Sequence, residues 1–198
     1  TERLRSEDPE VAVEFQSRHP AEAIDALRAG EIDFGFFGTA FAAEGLIYET
    51  VARNEIIAIA PPGHPLAGRD LTFEDLTAFP LIGYAGGSAR LAVDDWLARN
   101  PGHRVVYSAQ TDSSIAARTL ALAMGSPAFI VKQAVSDDLA AGSVVELRVR
   151  DFTASYPLCA VYLSEEDLGA SAKRFLAILR EGFRASVRVH GGDVASRA

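Results

Sequence analysis

Cysteine is nearly absent. Cys159 is the single one in 198 residues, so no disulfide can form within the chain, and a reducing compartment is the simpler setting. No apolar run approaches the roughly 18 residues that a membrane span needs, and the opening Thr1-Glu2-Arg3-Leu4-Arg5 has no signal-peptide shape. Basic clusters are missing as well: 19 Lys and Arg against 27 Asp and Glu leave a net charge of −8. A chain so charged cannot hold a phosphate backbone over a broad surface, so it is not expected to bind nucleic acid by itself.

Signatures of chemistry are also lacking. His19, His64, His103 and His190 lie far apart, and none has a partner at metal-ligand spacing. There is no Gly-x-Ser-x-Gly elbow, no Walker loop and no Gly-x-Gly-x-x-Gly. Cys159, inside the apolar Leu158-Cys159-Ala160-Val161, reads as buried core rather than a nucleophile. His64, in Gly63-His64-Pro65-Leu66, reads as a solvent-facing turn residue. The expectation is therefore no metal, no cofactor and no catalytic residue.

What is present is an ordinary globular composition, 48% hydrophobic and 23% charged, arranged as short strand-like runs alternating with helical stretches. That order predicts an α/β architecture with mainly parallel strands. Val11–Phe15 alternates like a strand, Pro20 suits the first turn of a helix ended by Gly30, and Ile32–Phe37 and Glu55–Ala60 follow as strands. Further on come a helical turn at Phe73–Leu76, a strand at Pro80–Tyr84, a helix over Leu91–Leu97 and a strand at Arg104–Ala109. A helix to Met124 closed by Gly125, a strand at Pro127–Val131, a helix at Gln133–Ala141 and strands at Val144–Val149 and Tyr156–Leu163 complete the series. The stripe Ala172, Phe175, Leu176, Leu179 and Phe183 marks a last amphipathic helix, and beyond Val189 the chain reads as a mobile tail.

Three helix starts directly follow strands: Ser17-Arg18-His19-Pro20, Gly86-Gly87-Ser88 and Asp112-Ser113-Ser114. In a parallel sheet, ligands sit at the carboxyl ends of strands, where helix N-termini offer unpaired N–H groups to a carboxylate or phosphate. The competing reading makes Ser88 and Asp112 ordinary N-caps. The adjacent glycines Gly86 and Gly87 favour close approach of backbone to ligand, which a cap does not require. Arg18 and Arg90 are the cations beside these starts, suited to a two-pronged contact with a carboxylate or to pairing with a nearby acid such as Asp94. Phe36, Phe37 and Tyr84 at strand ends read as core, with cleft lining as the alternative.

The order Asp8-Pro9-Glu10-Val11, then Leu27-Arg28-Ala29-Gly30-Glu31-Ile32-Asp33-Phe34, then Pro61-Pro62-Gly63-His64-Pro65-Leu66-Ala67, resembles the effector-binding domain of LysR-type transcriptional regulators. Leu71-Thr72-Phe73-Glu74-Asp75-Leu76, Phe79-Pro80-Leu81-Ile82 and Leu122-Ala123-Met124-Gly125 extend the likeness, which spans about residues 4–185; Pro127 and Lys132 stand where the family carries a glycine and a proline. The resemblance implies a two-lobed fold like type 2 periplasmic binding proteins, with two crossing hinge strands. Lobe I would comprise 1–66 and 157–198, and lobe II 67–156. It implies an effector cleft at Arg18-His19-Pro20, Phe37-Gly38, Gly86-Gly87-Ser88 and Asp112-Ser113-Ser114, to which the reading of the residues themselves adds Tyr84 and Arg90 as candidate contacts. The family's winged helix-turn-helix and the first strand of its lobe I have no counterpart in this sequence.

The expected function is thus sensing of a small anionic organic effector, with assembly as a homodimer or tetramer. Contact with DNA would run only through a domain outside this chain, in a cytoplasmic, non-membrane protein. A solute-binding protein of a transporter shares the fold and is the alternative. A small α/β enzyme would need a base and a nucleophile that the sequence does not show.

Overall fold

A computed structural model of the chain describes residues 2–38 and 41–191, with side chains described through Arg184. In chain order the first elements are α1 (Glu2–Glu7), α2 (Pro20–Arg28), β1 (Gly35–Phe37), β2 (Ile47–Ala60), β3 (Asp70–Leu71) and α3 (Phe73–Thr77). Then follow β4 (Leu81–Tyr84), α4 (Gly87–Arg99), β5 (Tyr107–Thr111), α5 (Ser114–Met124) and β6 (Ala128–Val131). A 3₁₀ turn (Lys132–Val135), α6 (Ser136–Ala141), β7 (Val145–Val149), β8 (Ala154–Tyr162) and α7 (Ala170–Gly191) complete the chain.

The helices start where side chains can satisfy their free N–H groups. At α2, Pro20 takes the first position, Ala21 N–H donates to His19 Nδ1 and His19 N–H to Glu22 Oε2. At α3, Thr72 and Asp75 cap each other reciprocally at 2.8 and 3.1 Å. Gly125, at φ +63°, closes α5 in the left-handed conformation that only glycine adopts at no cost.

Two units form, unit 1 from Thr1–Ala52 with Pro157–Ala198 and unit 2 from Arg53–Tyr156. β2 and β8 each run from one into the other. In unit 1, β1 pairs antiparallel with β8, Phe37 opposite Cys159. Its two faces are covered separately: Ala23 and Leu27 of α2 pack with Phe37 and Cys159, and Leu176 of α7 packs with Val51, Ala160 and Tyr162. Arg180 of α7 holds the Glu49 carboxylate with two bonds of 2.7 and 2.8 Å, which keeps that carboxyl below its usual titration range.

In unit 2, β4 lies between β5 and β6 and is parallel to both. β2 runs antiparallel to β6 and β7. Successive residues of β2 enter different cores. Ile56 and Ala58 join Phe73, Leu81, Trp96 and Phe129, whereas Ile57 and Ile59 join Ile82, Ala117 and Ile130. Burial on both faces explains why this stretch is apolar without alternation.

Several expectations are corrected. The sheet is mixed rather than mainly parallel, because the strands that pass between the units reverse direction against their neighbours. Residues 53–66 belong to unit 2 instead of lobe I, since β2 from Ile56 onward is bonded to β6 and β7. Val11–Phe15 is not a strand. Alternation selects a face, but a strand needs a bonded neighbour, and among the described residues none pairs with 12–18. Phe15 stays 71% exposed, and a cavity of about 540 Å³ separates this segment from β1. α7 continues through Gly191, past the expected end at Val189; the expected tail over 192–198 lies outside the described residues. Cys159 is fully buried, as expected.

His64 is likewise not solvent-facing. It is 8% exposed, its Nδ1 accepts the Leu66 N–H at 3.2 Å and its ring meets Phe79 edge-on. Burial lowers its pKa below the ordinary imidazole value. A group depressed in the folded state contributes stability that is present above the unfolded pKa and is lost as pH falls through the folded value. Urea denaturation should therefore show unit 2 weakening as pH drops from about 7.5 to 5. His64→Asn keeps an acceptor for Leu66 but cannot titrate, and should flatten that decline. Equal losses in both proteins would remove His64 from the account.

Candidate functional site

The parallel register of unit 2 sets the geometry. Tyr84 is paired with Thr111, so β4 and β5 end side by side, and Ala85 N–H still bonds the Thr111 carbonyl at 2.9 Å. Each chain then turns directly into a helix, α4 after Ala85-Gly86 and α5 after Asp112-Ser113. Two helix N-termini thus leave the same end of one sheet, each with partial positive charge and N–H groups that its own turns cannot satisfy.

The two starts differ. α5 is capped: Ser113 Oγ accepts the Ala116 N–H at 3.4 Å and Ser113 N–H donates to Thr111 Oγ1 at 3.2 Å. α4 begins at Gly86, whose lack of a side chain leaves no side-chain cap, and Gly87 sits at φ +78°. Ala85, Gly86 and Gly87 are exposed. Two cap expectations are corrected here. Ser88 lies inside α4 and caps nothing, and the α5 cap is Ser113 instead of Asp112, which is exposed.

Behind the starts lies a fixed polar frame. The Tyr84 phenol, 5% exposed, meets Ser114 Oγ at 2.7 Å and accepts the Val131 N–H at 3.1 Å. Burial pushes its pKa up, against the pull of those hydrogen bonds, so it stays a phenol at neutral pH. Arg90 is committed within α4. Its Nε reaches both Asp94 oxygens at 2.8 Å, Nη1 reaches the Tyr84 carbonyl, and the guanidinium stands 5.1 Å from the Tyr107 ring centroid. Gln110 and Thr111 were missed from the sequence. Gln110 Nε2 donates to the Tyr84 carbonyl at 3.4 Å. The polar run Gln110-Thr111-Asp112-Ser113-Ser114 at a strand end was the available signal.

Unit 1 brings together a separate group. His19 and Pro20 start α2, and Arg18 lies just before them, bonded to Gln16 at 2.9 Å and Glu31 at 3.2 Å. Arg18, Pro20 and Phe37 all line the 540 Å³ cavity. Gly38 is buried, its carbonyl accepting the Phe41 N–H. Phe37 is core, whereas Phe36 is 38% exposed. Among the described residues no group of three His, Cys, Asp or Glu side chains can hold a metal, and no helix is long and apolar enough to cross a membrane.

One glycine makes room within this frame for the Tyr107 ring. A Cβ at Gly83 would lie 2.2 Å from the Tyr107 ring, which covers it. Gly83→Ala should destabilise unit 2 by about 1–3 kcal/mol in urea unfolding, with relief when Tyr107→Ala is combined with it. A neutral Gly83→Ala would refute the packing.

Residues 1–184 match the family described as LysR substrate binding domain. Among curated relatives, an HTH-type transcriptional regulator of Mycobacterium bovis is 28% identical over 175 residues, which are 85% of this chain and 55% of that protein. A phosphonates import ATP-binding protein of Anaeromyxobacter dehalogenans is 29% identical over 175 residues, covering 87% of this chain and 35% of that protein. The chain therefore spans about a third to a half of those relatives. Among solved structures, a LysR family regulator of Pseudomonas aeruginosa superposes at TM-score 0.78 with 20% identity, over 91% of this chain and 64% of that one. The Synechocystis CcmR regulatory domain, solved in complex with 2-PG, superposes at 0.74 with 18% identity, over 91% and 87%. With that match running over residues 1–184, the chain belongs to the LysR substrate binding domain family, as an effector-binding regulatory domain.

Proposed function

We propose that the effector is a small organic anion held against the α4 and α5 N-termini of unit 2. The observation that carries this is the pair of parallel strand ends, Tyr84 and Thr111, turning into two helices, one of them started by exposed glycines without a side-chain cap. The N–H groups of Gly87 and Ser88 and the Ser88 hydroxyl would bind a carboxylate, with the Ser113-Ser114 turn beside them. Arg90 offsets the charge of Asp94 and keeps the local field positive. Arg18, His19 and Pro20 at the α2 start of unit 1, with Phe37 and Gly38, form a second candidate group. The bound neighbour of known structure supports a small-molecule effector. The intact regulator would be a cytoplasmic, non-catalytic sensor whose DNA contacts lie outside residues 1–198.

A transporter's solute-binding component is the second reading; the relative named as a phosphonates import ATP-binding protein supports a link to import, not a solute-binding role as such. The two separate on the full-length gene: an upstream DNA-binding domain supports the regulator, a secretion signal the transporter.

Thermal shift against small carboxylates should find a stabilising anion. By calorimetry, Ser88→Ala should weaken it about 2- to 10-fold, the value of one neutral hydrogen bond. Arg90→Ala leaves the partly exposed Asp94 uncompensated and should cost about 2- to 5-fold. Arg18→Ala should weaken binding if the α2 start takes part. Binding of neutral compounds alone, or three unchanged affinities, would sink the anion reading.

We also propose a homodimer or tetramer, paired through the α2 region (Ala21–Ala29) and through Leu120–Met124 or Leu91–Arg99. Exposed Leu91, Leu122 and Met124 support such a surface. Sedimentation should give dimers at tens of micromolar; monomers alone would contradict it.

A further inference from the structure

Tyr84 occupies a place that recognition alone does not explain. Its hydroxyl touches Ser114, the first residue of α5, on one side and the Val131 N–H, at the end of β6, on the other. Val131 is paired in turn with Ile56 of β2. Two residues before Ile56, Asn54 Nδ2 donates to the Tyr156 hydroxyl at 3.0 Å, and Arg53 Nη1 donates to Ser155 Oγ at 3.1 Å. Arg53 and Tyr156 are the residues at which β2 and β8 leave unit 2. Tyr84 and Tyr156 also pack into one core cluster with Ile56 and Phe129.

The hydrogens in this line have few choices. The Val131 N–H can only donate, so the Tyr84 oxygen accepts from it. The phenol keeps its single proton, because burial raises its pKa. The Tyr84–Ser114 bond then has two states: Ser114 donates to Tyr84, or Tyr84 donates to Ser114. An anion at the α5 start accepts a hydrogen bond from the Ser114 hydroxyl and selects the second state. All three donors then point the same way, Val131 N–H to Tyr84, Tyr84 O–H to Ser114, Ser114 O–H to the anion. Aligned bonds of this kind polarise and strengthen one another.

We propose that Tyr84 is a positioning residue that couples occupancy of the effector site to the end of β6, and through the Val131–Ile56 pair to the strands where they leave unit 2. The coupling rests on the reading of the α4 and α5 starts as the effector site, and deepens it by saying how occupancy is communicated. It needs no movement of the helices. One hydroxyl rotor reorients, and the bond from the Val131 N–H to the Tyr84 hydroxyl tightens.

The test reads the Val131 amide by NMR hydrogen exchange on the 198-residue chain. Without any added anion, Ser114→Ala should lower Val131 protection about 2- to 10-fold, the value of one hydrogen bond, and should change it no further when Tyr84→Phe is already present. Unchanged Val131 exchange in Ser114→Ala overturns the coupling, and this single variant suffices if Tyr84→Phe fails to fold. Ser114→Thr keeps the hydroxyl and should restore protection, which separates hydrogen bonding from packing. Inorganic phosphate and benzoate are then titrated as probes. In the unaltered chain, Ser114 and Val131 amide shifts should follow one isotherm; in Tyr84→Phe, Ser88 and Ser114 should still respond while Val131 does not. A Val131 response that persists in Tyr84→Phe refutes the coupling. Intact coupling between Ser114 and Val131 with no response to any anion refutes the site reading instead.

Discussion

Three strands running the same way constrain everything else in unit 2. Because β5, β4 and β6 are parallel and adjacent, their carboxyl ends lie at one edge, and each successor begins from that edge. Tyr84 fastens the three together. It sits at the end of β4, its hydroxyl reaches the start of α5 after β5, and it accepts from Val131 at the end of β6. A buried phenol with both partners in place contributes modestly to stability, whereas its loss would leave two half-buried polar groups, at Ser114 and Val131, without this partner. At the proposed effector site such a frame would be stiff, which would lower the ordering cost of binding.

On the proposed reading, that frame leaves recognition mainly to main-chain N–H groups, with the Ser88 and Ser114 hydroxyls beside them. The exposed part of the edge is Ala85-Gly86-Gly87, and the most polar side chains nearby are already engaged: Arg90 with Asp94, Ser113 with Ala116, Ser114 with Tyr84. Main-chain N–H groups at a helix start read charge and shape rather than a particular substituent.

Much of this was legible from residue order. The elements from β4 to α5 follow from strand runs, paired glycines and a serine-rich turn, and Gly125 marks the end of α5 because a left-handed residue is needed there. The Arg90–Asp94 pair follows from i, i+4 spacing on a helix. The failures are tertiary. Val11–Phe15 has the right alternation, yet pairing depends on what lies alongside. His64 looks like a turn residue, but the turn folds inward against Phe79. Ser88 resembles a cap, but the chain enters α4 earlier, through Gly87 at a φ of +78° that serine rarely adopts. None of these is encoded within a few residues.

The central claim is that an anion sits at the α4 start in unit 2. Crystals grown with 4-bromobenzoate and measured at the bromine absorption edge test it most directly. The account predicts an anomalous peak within one ring length of the Gly87 and Ser88 N–H groups, with the carboxylate directed at them. A peak seated solely in the unit 1 cavity beside Arg18 and Phe37, or well-ordered crystals with no peak at the α4 start at millimolar ligand, would contradict it.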